Sequence, residues 1–227
     1  MPQRDALAFD MYGTLVDTLG ISQHIEQMLP AQGQRVAALW RQSQLEFSFR
    51  ITLMERYEDF AYLTRKALGY ALAATGNTLT AEQQETLLAQ YQQLEPFADT
   101  KPGLERLQKA GFPMVIFSNG APSMLNQLLD ATGLRRYFQH VISADEVGIY
   151  KPAPRLYHHA ASRAGRPPEE TRLISANPFD VTGALNAGLH AAWVNRAGSP
   201  PDPLGQSPDV TVKTLVDLAE VLERHQS

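Results

Sequence analysis

At 227 residues, with 44% apolar and 19% charged residues, the chain has ordinary globular composition and room for one α/β domain plus an insertion. A formal net charge of −4 excludes a basic surface for nucleic acid or acidic membrane, and the absence of cysteine excludes disulfides, thiolate catalysis and cysteine-based zinc sites. No stretch approaches the roughly 20 apolar residues of a membrane span, and MPQRDALAFD carries no signal-peptide core, so a cytoplasmic location is expected.

Ala6 to Phe9 is a short, wholly apolar run, as expected of a strand buried on both faces. Asp10 follows it, and Gly13 marks a turn. From about Ile21 to Leu94 the pattern is helical: Val36, Leu39, Trp40 and Phe47 recur at helical spacing, as do Leu53, Tyr57, Phe60 and Ala61, then Leu87, Leu88, Tyr91 and Leu94. Helices without an intervening strand read as an inserted cap.

From Pro102 strands and helices alternate. Pro102 suits a first helical turn and Gly111 its end. The expected strands are Met114 to Phe117, Val141 to Ser143, Leu173 to Ser175 and Ala191 to Val194. The expected helices are Pro122 to Ala131, Pro154 to Ala164, Pro178 to Ala187 and a last one ending at Leu222; Pro200 to Pro208 is a surface loop. This alternation predicts an α/β fold, a Rossmann-like doubly wound parallel sheet with an inserted α-helical cap. The expected division is a core of residues 1–16 and 98–227 and a cap of residues 17–97.

In such a sheet ligands bind beyond the carboxyl ends of the strands. The polar residues there are Asp10, Ser118, Asn119, Ser175, Asn177 and Asp180, with Lys151 in the loop after the third strand. They should converge on one crevice. Taken alone, Asp10 serves equally as a helix N-cap or as a catalytic carboxylate oriented by Thr14.

The ordered segments Asp10-Met-Tyr-Gly-Thr-Leu-Val-Asp17, Ser118-Asn119-Gly120, Lys151-Pro152 and Ser175-Ala-Asn-Pro-Phe-Asp180 resemble the haloacid dehalogenase superfamily across nearly the whole chain. The resemblance implies that Asp10 is a nucleophile. Superfamily phosphatases carry an acid/base Asp two residues after it, where this chain has Tyr12, and a magnesium-binding carboxylate four residues before the last Asp, where it has Ala176. Magnesium needs hard oxygen ligands, whereas halide leaves without a proton. The losses point to the L-2-haloacid dehalogenases, with no metal or other cofactor.

The resemblance further implies that Arg41 reaches the site from a cap helix, with Gln42, Leu45, Phe60, Tyr12 and Phe179 lining the substrate side. By spacing alone Arg41 is an ordinary solvated arginine. Ser118, Lys151 and helix N-termini would hold the substrate carboxylate; Arg41, Asn119 and Phe60 would receive the halide. Water positioned by Asn177 and activated by Asp180 would cleave the Asp10 ester. Thr14, Ser175 and Tyr157 would orient these groups. Close relatives more often have Ser and Trp where this chain has Ala176 and Phe179. The implied partners are a short 2-haloacid, halide and a second copy of the chain. The alternatives left open are a magnesium-dependent phosphatase and a non-catalytic homologue that binds a small carboxylate. His158 and His159 are helix neighbours diverging by about 100°, and His24, His140, His190 and His225 are scattered, so no histidine is assigned a role.

Overall fold

The computed structural model describes residues 4–224; His225 lies outside them. The apolar run of β1 (Ala6–Phe9) is buried at every position and forms the centre of a parallel six-stranded sheet. The other strands are β2 (Met114–Ser118), β3 (His140–Ser143), β4 (Thr171–Ser175), β5 (His190–Val194) and β6 (Val210–Val212), in the order β3-β2-β1-β4-β5-β6. β1 pairs with β2 through Leu7↔Met114 and Phe9↔Ile116, and with β4 through Ala6↔Thr171 and Phe9↔Ile174. The chain steps outward from β1 to β3, then returns to β4 on the other side. That reversal lies at the carboxyl ends of β1 and β4, where an open crevice forms.

Among the described residues, a run of four helices follows β1 as the helical insertion: α1 (Ser22–Met28), α2 (Gly33–Leu53), α3 (Phe60–Ala74) and α4 (Ala81–Tyr91). Asp59 caps α3, and Thr80 with Gln83 forms a capping box on α4, so these starts are written locally. Entry and exit of the helical insertion are zipped together. Val16 bridges Pro96 antiparallel, and the Asp17 N–H donates to the Glu95 carbonyl at 3.0 Å.

The remaining helices are α5 (Thr100–Lys109), α6 (Pro122–Thr132), α7 (Pro154–Arg163), α8 (Pro178–Asn186) and α9 (Leu215–Arg224). Proline in the first turn of α6, α7 and α8 supplies a preset φ where no N–H partner is needed. Gly111 takes a positive φ just past α5, as a helix stop requires. The five expected strands are present, and β6 adds an edge strand just past the expected Pro200–Pro208 loop, in a stretch for which no strand was expected. Among the described residues no helix is long and apolar enough to cross a membrane.

Candidate active site

Asp10 stands one residue past β1 and caps no helix, because the next helix begins only at Ser22. Its N–H donates to the Ile174 carbonyl at 3.0 Å, which extends the β1–β4 ladder to the carboxylate. Oδ2 accepts from Thr14 Oγ1 at 2.9 Å and from Asn177 Nδ2 at 2.8 Å. Oδ1 faces Lys151 Nζ at a longer 3.3 Å. One oxygen is therefore clamped by two donors and the other is loosely held.

Lys151 is fully buried beneath the crevice. Its Nζ donates to Asp180 Oδ2 at 2.8 Å, to the Phe117 carbonyl at 2.9 Å and to Asp10 Oδ1, and it lies 4.2 Å from the centre of the Phe117 ring. An ammonium has three donors, and all three are engaged. The expected direct grip of Lys151 on a substrate carboxylate is not prepared here. Its geometry is that of a cation neutralising two carboxylates.

Asp180 is fully buried in the first turn of α8. Tyr157 OH donates to its Oδ1 at 2.8 Å, and Lys151 holds its Oδ2. Burial raises the Asp180 carboxyl above its ordinary value, Lys151 lowers it in part, and the nearby Asp10 raises it again. Burial likewise lifts the Tyr157 phenol well above its ordinary value, so it stays a donor toward Asp180.

Asn177 donates to Asp10 and, at 3.2 Å, to the Tyr12 carbonyl, while the Ser175 hydroxyl accepts the Asn177 N–H at 3.2 Å. Ser118 is buried; its Oγ accepts the Gly120 N–H at 3.1 Å, and among the described residues its hydroxyl hydrogen has no acceptor. Asn119 Oδ1 accepts the Lys151 N–H at 3.0 Å. Its Nδ2 has no partner among the described residues.

The helical insertion supplies the other wall. Arg41 on α2 donates to the Tyr12 carbonyl at 3.2 Å. Phe60 packs 6.0 Å from the Tyr12 ring, and Phe179 meets Phe49 of α2 edge-on at 5.2 Å. Leu45 is half-buried; Gln42 is exposed and hydrogen-bonds to no other site residue. Burial pushes the Tyr12 phenol well up, and Arg41 offsets this only in part. The Tyr12 hydroxyl is buried without a partner among the described residues.

Several contributors escaped the sequence reading. Tyr91 stacks on Tyr12 at 5.7 Å and donates to Gln44 Oε1 at 3.0 Å. Tyr150, the neighbour of Lys151, donates to the Glu58 carbonyl at 2.6 Å and stacks on Tyr57, whose hydroxyl donates to Asp145. The repeating apolar pattern around Tyr91 marked it only as core. The adjacency of Tyr150 to the lysine motif was the one signal available for it.

The chain belongs to the haloacid dehalogenase-like hydrolases, whose family model matches residues 4–188. It is 36% identical over 217 residues to the (S)-2-haloacid dehalogenase of Pseudomonas sp. (strain YL), covering 96% of this chain and 94% of the relative. A crystal structure of an L-2-haloacid dehalogenase aligns with a TM-score of 0.94 at 33% identity, covering 97% of this chain and 99% of the other. The L-2-haloacid dehalogenase of Xanthobacter autotrophicus, solved with chloropropionic acid covalently bound, aligns with a TM-score of 0.91 at 32% identity, covering 99% and 100%.

Proposed function

We propose that this protein is a hydrolase of carbon–halide bonds that converts short L-2-haloalkanoic acids to D-2-hydroxyacids and halide through an ester on Asp10. The reading rests above all on Lys151 Nζ joining Asp10 to Asp180 while Thr14 and Asn177 clamp one oxygen of Asp10.

Oδ1, the loosely held oxygen, attacks C2 on the face opposite the halogen and inverts that centre. The Ser118 hydroxyl and backbone N–H groups hold the substrate carboxylate, and Lys151 balances charge without touching it. Arg41 and the unpartnered Asn119 Nδ2 receive the halide, with Phe60 and Tyr12 forming the apolar wall. In the ester, Oδ2 becomes the carbonyl oxygen, and its two donors are already in place for the charge that develops when water adds. Each such preorganised donor is worth about 3 kcal/mol of transition-state stabilisation. Asp180, with a raised proton affinity, takes the proton of that water.

A magnesium-dependent phosphatase reading fits these residues poorly. Ala176 offers no side-chain oxygen, Tyr12 replaces the acid for a leaving alcohol, and Lys151 already supplies the cation between the carboxylates. A non-catalytic carboxylate binder has no evident need for two buried carboxylates. On the same reading residues 17–97 act as a cap on a core of residues 1–16 and 98–227. The enzyme works in the cytoplasm as a homodimer paired through the cap helices, where Tyr62 and Tyr70 of α3 are exposed and Tyr70 meets Phe47.

The test is halide release from L- and D-2-chloropropionate with EDTA present, comparing wild type with Asp10→Asn. Release from the L-enantiomer alone, indifferent to EDTA and lost in the variant, is expected. No release from either enantiomer would sink the reading.

A further inference from the structure

Thr14 orients the nucleophile through its hydroxyl, but its main chain is held by groups with no part in the chemistry above. Arg196, two residues past β5, donates from Nη1 to both oxygens of Asp99 at 2.7 Å and from Nη2 to the Thr14 carbonyl at 2.9 Å. The guanidinium lies 4.3 Å from the centre of the Phe97 ring. The two side chains are only 19% and 16% exposed.

Asp99 is placed to cap α5 and does not do so. Its Oδ2 instead accepts the N–H of Leu215, the first residue of α9, at 2.7 Å. An aspartate at a helix start ordinarily satisfies its own helix; here it is diverted to Arg196 and to a second helix. The Arg196 Nε is buried without a partner among the described residues, a cost the arrangement carries.

Next to Thr14 the Leu15 carbonyl is held twice, by the Phe97 N–H at 3.1 Å and by Thr100 Oγ1 at 2.8 Å. Residues 97–100, where the chain returns from the helical insertion, and Arg196 thus fix both carbonyls of Thr14-Leu15. On the opposite side, Thr14 Oγ1 donates to Asp10 and accepts the Ala176 N–H at 2.9 Å. Two ends of one guanidinium do this work together, one forked on a carboxylate and one reaching a carbonyl. A lysine ammonium has no such planar fork.

We propose that Arg196 and Asp99 are a positioning pair for the nucleophile. They set the placement of Thr14, and through it Asp10 Oδ2, and couple that placement to residues 97–100, where the chain returns from the helical insertion. The effect on rate rests on the dehalogenase reading above; the effect on the loop does not.

The experiment compares Arg196→Met, Arg196→Lys and Asp99→Asn with wild type by steady-state kinetics on L-2-chloropropionate, thermal melting, and amide hydrogen exchange of residues 11–17. A misplacement of this kind lowers kcat by roughly ten- to a hundredfold in Arg196→Met, with KM nearly unchanged. Exchange in 11–17 should accelerate while 171–175 stays protected. Methylguanidinium should restore part of kcat to Arg196→Ala and none to Thr14→Ala. If Arg196→Met melts lower yet keeps wild-type kcat, the pair is merely structural and the proposal falls. Should wild type itself release no halide, the dehalogenase reading fails, and unchanged exchange in 11–17 then overturns the pair as well. If Arg196→Met does not fold, the milder Asp99→Asn decides by the same measures.

Discussion

Gly183 of α8 lies so close to Tyr157 that a Cβ built there would stand 2.5 Å from the phenol oxygen and 2.7 Å from Pro152 Cβ. The helix needs no special backbone angle at this position. It needs the missing methyl, because Tyr157 must reach Asp180 Oδ1 across that space. Gly183→Ala should therefore push Tyr157 off Asp180 and slow hydrolysis of the ester more than its formation. Mass spectrometry during turnover should find Asp10 adduct accumulating in the variant. An adduct level equal to wild type would show that Tyr157 keeps its place.

The raised proton affinity of Asp180 gives a signed pH dependence. Burial favours the protonated carboxyl, so ester hydrolysis should lose rate on the acid side at a pH above the ordinary aspartate value of 3.8. Tyr157→Phe removes a bond that favours the carboxylate, and the acid limb should move to higher pH. For stability the sign is opposite to that of a salt-bridged Asp. The native state binds this proton more tightly than the unfolded chain, so Asp180 costs stability as pH rises from 3.8 through its folded value. Stopped single turnovers across pH check the first statement and denaturant melts the second.

Lys151→Met leaves two buried carboxylates without their shared cation. Removing one partner of a buried ion pair costs about 3–5 kcal/mol. The loss should be smaller at acid than at neutral pH, since protonation of Asp180 relieves it. Equal losses at both pH values in urea titrations would contradict the shared-cation role.

Tyr57 and Tyr150 tie the α2–α3 connection to the residue beside Lys151. Burial raises the Asp145 carboxyl, and the Tyr57 hydrogen bond counters this. Tyr57→Phe should lower stability by about 1 kcal/mol and raise KM more than it lowers kcat. A fall in kcat at constant KM would argue against a closing contact.

Phe179 meets Phe49 of α2 edge-on at 5.2 Å, where α8 faces the helical insertion. Phe179→Trp should thicken this wall and shift preference toward shorter haloacids, read as the ratio of kcat/KM for chloroacetate and 2-chlorobutyrate. An unchanged ratio would mean that Phe179 does not set chain length.

The central strands were legible because each is a short run buried on both faces, and the carboxyl-end residues followed from topology. β6 was not: it has three residues, its middle one is exposed, and it is defined by pairing with β5. Arg41 needed the resemblance, because helical spacing does not say which arginine faces a cleft. Arg196 and Asp99 were invisible, since their partners lie 97 and 182 positions apart in the chain. Gln42, named from the resemblance, stands exposed, which shows how little a neighbour on a helix inherits from Arg41.

The zipped junction at Val16–Pro96 and Asp17–Glu95 brings the two ends of the helical segment together at the rim of the sheet. A segment hung from ends already in contact adds little closure entropy as it lengthens or shortens. Insertions or deletions between residues 17 and 95 therefore leave strand order undisturbed, while exchange of the whole segment also replaces Arg41 and Phe60 at the crevice wall and the Tyr57 stack on Tyr150. Descent can rewrite what is admitted to the cleft while passing on unchanged the two carboxylates and the lysine beneath it.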